Sequence, residues 1–139
     1  MKTSRVIVVA GLLAMTGCGG GSRATDPANE LPFGVIDTPA DHAQVAAQTP
    51  IGGWALDDKG VAEIRLYIDN HFVGATKINT DRADVSKVYP TYAAGTNLHG
   101  WTTSLVFDTP GAHTILVQAV DTDGATRDIG TRAVTSLDK

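Results

Sequence analysis

The chain of 139 residues carries one cysteine, Cys18. A lone thiol closes no disulfide within the chain, so the fold must rest on packing alone. Histidine is sparse too: His42, His71, His99 and His113 are scattered, none at a metal-ligand spacing, and no H-E-x-x-H run occurs. No G-x-S-x-G nucleophile elbow is present, and no glycine-rich phosphate loop precedes a helix. These absences point away from an enzyme and leave no cofactor to expect. The apolar run Val6 to Met15 is too short to span a bilayer. Positive charge is also in short supply, with a net charge of −4 over the whole chain. Without Lys2 and Arg5, nine of the eleven basic residues remain against fifteen acidic ones, a net charge of −6. So acidic a chain is poorly suited to nucleic acid or to an anionic membrane surface.

What is present begins with "MKTSRVIVVAGLLAMTGCGGGS". Two basic residues, a short apolar run and then small residues have the form of a secretory signal peptide over residues 1–17. The stretch Met15-Thr16-Gly17-Cys18 resembles a bacterial lipobox, with methionine in place of the usual leucine. The resemblance implies that Cys18 is lipidated and becomes the first mature residue. Each buried acyl methylene contributes ~0.8 kcal/mol, so several chains make a stable anchor. Gly19 after the cysteine resembles outer-membrane lipoproteins, if the host is Gram-negative. Residues 18–30, rich in Gly, Ser, Pro and Asn, form a flexible tether with a span on the order of 20 Å. The remainder, 31–139, is one domain large enough to bury a core.

That domain reads as short strands between turn residues. "VAEIRLYID" (Val61–Asp69) puts Ala62, Ile64, Leu66 and Ile68 on one face and Glu63, Arg65 and Tyr67 on the other. A period of two marks a half-buried strand. Similar runs at Phe33–Asp37, Thr49–Asp58, Phe72–Ile78, Trp101–Asp108, His113–Asp121 and Arg127–Val134 bring the number to about seven. "TPGA" and "DTDGAT" supply turn chemistry, and Asn70-His71 a hairpin-like connection. The class is all-β, an antiparallel sandwich.

The segments "GVIDTPADHAQV", "GGWALDDKGVAEIRLYIDN", "RADVSKVYP" and "GAHTILVQAVDTDG" resemble bacterial immunoglobulin-like domains of secreted and surface proteins, over most of Gly34 to Val134. The resemblance implies an Ig-like sandwich without a shared enzymatic activity. It places Asp57, Asp58, Asp121 and Asp123 at one end, and the ends of the segment Asn79–Gly100 near them. "AAQTP" replaces a glycine often found before the second strand, which implies a different first connection.

The stretch "DRADVSKVYPTY" breaks the strand pattern. Val85, Val88 and Tyr89 stand at i, i+3 and i+4, Thr80 or Asp81 can cap, and Pro90 stops the run. The spacing predicts a short helical insertion near residues 81–90, with Val85 and Tyr89 inward. Arg82 has Asp84 in reach locally, or Asp57 and Asp58 across the end. The candidate interaction residues are Trp54, Arg82, Tyr89, Tyr92 and Trp101, with His99 facing the same partner as the tyrosines. Trp54 and Trp101 flank apolar strands, which favours burial; exposed, they would suit sugar rings. Asp57, Asp58, Asp121 and Asp123 are weak calcium candidates, because "DTDG" lacks the rest of an EF-hand loop. The expected role is a lipid-anchored, non-catalytic envelope module that binds a protein. A carbohydrate-binding module is the alternative. The partner is thus an unknown envelope protein or glycan, with membrane contact through the anchor only.

Overall fold

The computed structural model describes residues 30–93 and 95–137. The signal-peptide reading, Cys18 and all of the tether but Glu30 lie outside the described residues. In chain order the elements are β1 (Phe33–Thr38), β2 (Ala43–Val45), β3 (Gln48–Leu56), β4 (Val61–Ile68), β5 (His71–Thr76) and β6 (Thr80–Asp81). After them come α1 (Ala83–Val88), a 3-10 turn (Pro90–Tyr92), β7 (Leu98–Val106), β8 (Gly111–Asp121) and β9 (Thr126–Ser136). One sheet has the order β1-β3-β7-β6 and the other β2-β9-β8-β4-β5. All pairings are antiparallel except β2 with β9.

Alternation along each strand builds the core. Ile51 and Ala55 of β3, Trp101 and Leu105 of β7, Ile64 and Leu66 of β4, and Ile115 and Val117 of β8 meet between the sheets. Trp101 is only 1% exposed. It fits because Gly53 lies under it: a Cβ there would come 3.0 Å from the indole ring. Burial of such side chains contributes roughly 1.5–3 kcal/mol each. The Trp101 Nε1–H is buried without an acceptor among the described residues, an offsetting cost of about 1–3 kcal/mol.

The structure departs from the sequence reading in four places. The first strand is split, with β1 in one sheet and β2 in the other. The Arg132 guanidinium donates to the carbonyls of Ile36 and Pro39 across this crossing. A two-residue strand, β6, was not expected. The β4–β5 turn is Asp69-Asn70, both at positive φ (51° and 70°), as a two-residue hairpin of primed type requires, and not Asn70-His71. The helix N-cap is Arg82 with no side-chain cap, so neither Thr80 nor Asp81 plays that part.

One end of the sandwich is tied by His113. Its Nδ1 lies 2.7 Å from Asp69 Oδ2 and its Nε2 2.8 Å from the Thr109 carbonyl. Both partners are acceptors, so the imidazolium, donating from both nitrogens, is the form that satisfies the geometry. The Phe107 ring stacks on it at 5.0 Å. The hydrogen bond to Asp69, then that to Thr109, raises the imidazole pKa. The hydrogen bond from His113 leads the causes that lower that of Asp69. A raised imidazole value stabilises the fold fully below the ordinary value near 6.5, and the contribution is lost as pH rises through the raised one. A lowered carboxyl value is lost only as pH falls through it. Stability should therefore decline by on the order of 0.5–1 kcal/mol as pH climbs from 6 to 9. In His113→Gln that slope should be flattened in denaturant melts; an unchanged slope would refute the clasp.

Candidate functional site

The outer face of the four-stranded sheet is where this molecule departs most from a bare sandwich. On β3 the side chains at odds with the core set are Trp54 and Leu56. Their register partners are Val35 and Phe33 on β1, and Gly100 lies opposite Trp54 on β7. An uncovered Trp-Leu-Phe surface would be costly in water. The segment between β5 and β7 covers part of it. Val85 of α1 is 3% exposed, and Leu56 is buried as well. Val88, on the same predicted stripe, is 69% exposed, so the inward face is Val85 with Tyr89 alone. Gly100 admits this cover, because a Cβ there would lie 2.8 Å from the Arg82 Cγ and 2.9 Å from the Thr80 Cβ.

Four half-buried rings gather at this place. Phe33 meets Tyr92 at 5.2 Å, Tyr89 at 5.3 Å and Trp54 at 6.1 Å, all edge to face. Trp54 and Tyr89 lie 5.5 Å apart with planes tilted by 46°. Such pairs contribute about 0.5–1.5 kcal/mol each beyond area burial. The rings are mutually inclined and present edges and corners, not a coplanar row.

Arg82 fastens the cover. Nε and Nη2 donate to Asp84 Oδ1 and Oδ2 at 2.9 and 2.8 Å, while Nη1 donates to Asp37 Oδ2 at 2.6 Å. The fork thus joins the start of α1 to β1. Its hydrogen bonds, Asp84 first and Asp37 second, raise the Arg82 pKa, and Arg82 lowers that of Asp84. The local partner is the expected Asp84. The distant one is Asp37, in place of the expected Asp57 and Asp58.

His99, 4% exposed, is buried beneath the cover and cannot face a partner. Its Nε2 lies 2.9 Å from Ser86 Oγ, which itself lies 3.2 Å from the Thr96 carbonyl. With the hydroxyl donating to that carbonyl, the imidazole N–H is the group that donates to the hydroxyl. The pair staples α1 to β7.

The acidic end is built differently from a cation site. Asp121 Oδ1 accepts the N–H groups of Asp123 and Ala125 at 2.9 and 2.8 Å, closing its own turn. Asp123 pairs with Lys59 Nζ at 3.2 Å. Asp57 Oδ2 accepts the Lys59 N–H at 2.9 Å. Asp58 is exposed. Among the described residues no three acidic, histidine or cysteine groups converge on one point. Asp57 is 6% exposed, and its Oδ1 accepts no hydrogen bond of ordinary length among the described residues. Burial, helped by the charges of Asp121 and Asp58 and opposed by the Lys59 N–H, pushes its pKa up to about 6. It borders a cavity of about 260 Å³ that Tyr92, Thr96 and His99 close from the other side. The inserted segment does reach the acidic end, as the topology implied.

Of the five candidate interaction residues, the structure brings Trp54, Tyr89 and Tyr92 into one ring cluster and sets Arg82 beside it. Trp101 is corrected: it belongs to the core and has no face to offer. Trp54 is corrected in the opposite sense, because it lies on the outer sheet face and not among the core residues. Phe33 and Asp37 were missed. The strand β1 held the signal, since Phe33 and Asp37 frame an apolar strand, but Tyr89, Tyr92 and Arg82, which they meet, lie about fifty residues away in sequence.

A family model described as "Bacterial Ig domain" matches residues 32–117. No curated protein matches the sequence significantly. Among solved structures the chain is similar to the PKD domain of an M14-like peptidase from a Thermoplasmatales archaeon, at 15% identity and TM-score 0.50, over 80% of this chain and 100% of that one. It is also similar to the fibronectin(III)-like modules of Clostridium thermocellum CbhA, at 16% identity and TM-score 0.48, over 74% and 93% of the two chains. At these identities the first is a likeness of fold alone.

Two variants test the site. Arg82→Ala should lose roughly 1–2 kcal/mol in denaturant melts by freeing α1 from β1, and Arg82→Lys should not restore it, because an ammonium cannot make the fork. Asp57→Asn should gain on the order of 1–2 kcal/mol at pH 7. A raised carboxyl value means that folding is favoured below the ordinary value and disfavoured as pH rises through about 6. The gain should therefore vanish near pH 4; a gain that is independent of pH would refute the burial argument.

Proposed function

We infer that this chain, which belongs to the bacterial Ig domain family, serves as a non-catalytic protein-binding module held at the bacterial envelope by lipid on Cys18. Bacterial Ig domains are typically extracellular or exported, and Ig-like domains are generally non-catalytic. No described helix is long and apolar enough to cross a membrane. The anchor rests on the signal-peptide and lipobox pattern around Cys18; an outer-membrane location follows if the host is Gram-negative.

The observation that carries the binding role is the ring cluster of Phe33, Trp54, Tyr89 and Tyr92. Its rings are half-buried, held by one another and flanked by the Arg82 fork. They are therefore fixed before any partner arrives, which lowers the entropic cost of binding. Trp, Tyr and Arg are the residue types that dominate protein interfaces. Exposed Val35, Val88 and Leu98 add apolar area on the elements that carry or flank the cluster. A carbohydrate module is the second reading. Flat rows of rings suit sugar chains, and the steep inclination of these rings favours a protein partner instead.

Two experiments check this. Cys18→Ser should move the protein from the membrane fraction to the soluble exported fraction. A photo-crosslinking amino acid at position 92 of the lipidated protein should give one discrete protein adduct in cells. The same group at position 131, exposed on the other sheet, should not. Adduct loss with soluble oligosaccharide competing would favour the glycan reading.

A further inference from the structure

We propose a second contact surface: the open edge of β7 at Thr103–Val106, which accepts one short extended strand from a partner protein. It rests on the binding-module reading but uses none of the aromatic cluster. The sheet is incomplete at this edge. The strand β6 is two residues long and pairs only with Leu98 and Gly100. Asn79 then stands in for one more step. Its N–H donates to the Gly100 carbonyl at 2.8 Å, and its side-chain amide accepts from the Thr102 N–H at 3.1 Å and donates to the Thr102 carbonyl at 3.0 Å. These bonds fix which backbone groups face outward. On the other edge, the Phe107 N–H donates to the Ala47 carbonyl at 2.8 Å. Even-numbered residues of β7 therefore turn their N–H and C=O groups away from β3, and beyond Thr102 those are Ser104 and Val106. No strand is hydrogen-bonded to them among the described residues, although β5 of the other sheet approaches β7.

The other edges are blunted. On β1 the register breaks between Ile36 and Thr38. On β5 a bulge falls at Val73, and on β9 one falls at Ile129 beside charged Arg127 and Asp128. The strand β2 is three residues long. Bulges, charges and shortness are the devices that discourage edge pairing. The stretch "TSLV" of β7 has none of them. It also borders a cleft of about 300 Å³, where Val73 and Val106 offer exposed apolar surface beside the polar groups of Asp69, His71 and His113. At its far end Asp108 is exposed and forms no ion pair among the described residues. Backbone groups that need a strand, a cleft with a valine wall for its side chain and a free carboxylate at the end define the occupant. It is an extended segment of four to six residues, β-branched and uncharged, with one basic residue beside Asp108.

The probe is the peptide acetyl-KTVTVT-amide, whose lysine meets Asp108 when it lies antiparallel to β7. In the full chain without peptide, the amides of Ser104 and Val106 should exchange with deuterium much faster than those of Thr103 and Leu105. Peptide at millimolar concentration should slow Ser104 and Val106 by at least roughly threefold and leave Thr103 and Leu105 unchanged. Ser104→Pro removes an N–H that β3 does not use, so it should abolish the effect without lowering the melting temperature greatly. If that variant unfolds, Val106→Lys replaces it, with the same expectation. Protection that appears on β5, on α1 or nowhere overturns the assignment. So does protection that grows with protein concentration alone alongside a dimer in sedimentation, which would name a second copy as the occupant. Should the peptide fail while the adduct at position 92 still forms, the edge assignment falls and the binding-module reading stands.

Discussion

Alternation of side chains along β3 and β7 is the constraint from which the rest follows. In these two paired strands every second residue enters the space between the sheets, and Trp101 enters it over Gly53. The intervening residues are forced outward. Trp54 and Leu56 therefore emerge on the far side of the same sheet, where water would meet them. The inserted segment answers that exposure: Val85, Tyr89 and Tyr92 bring their apolar surface to this side, and Gly100 leaves room for the chain to pass. One small residue under each crossing, Gly53 inside and Gly100 outside, makes both layers possible.

The gap at the sheet edge has its origin before the insertion. Because β6 runs antiparallel to β7, with Thr80 opposite Gly100, the chain that would lie beside Ser104 and Val106 is the one that precedes Asn79. That chain is β5, which pairs with β4 in the other sheet. Asn79 limits the gap by imitating a strand with its side chain. The two proposed contact surfaces therefore differ in kind. The ring cluster is preformed and rigid, whereas the edge lacks a strand and gains order only when one is supplied.

Charge is distributed in keeping with this division. Arg82 joins carboxylates of two elements and is partly shielded, so its bonds hold the cover in place. At the acidic end the carboxylates serve their own turns, and Asp57 stays reluctant to ionise because burial and its neighbours penalise the charge. His113 stands at the other end in the opposite condition, with acceptors on both nitrogens.

The strand class and the short helix over Ala83–Val88 were legible in the sequence because they depend on local spacing. A period of two, a Val-Tyr pair four apart and a stopping proline act within a few residues, and the Arg82–Asp84 contact spans only two. The lipobox-like stretch around Cys18 is likewise a local pattern, and only the sequence speaks to it. The two tryptophans, by contrast, sit in similar apolar surroundings and meet opposite fates. Which face of a strand looks inward depends on register against strands fifty residues away, and a shift of one residue would exchange them. The same dependence hid Asp37 as the second partner of Arg82, Phe33 as the hub of the rings, and the split of the first strand. Local spacing determined which elements form; packing across the sheets decided which of their side chains remain available to a partner.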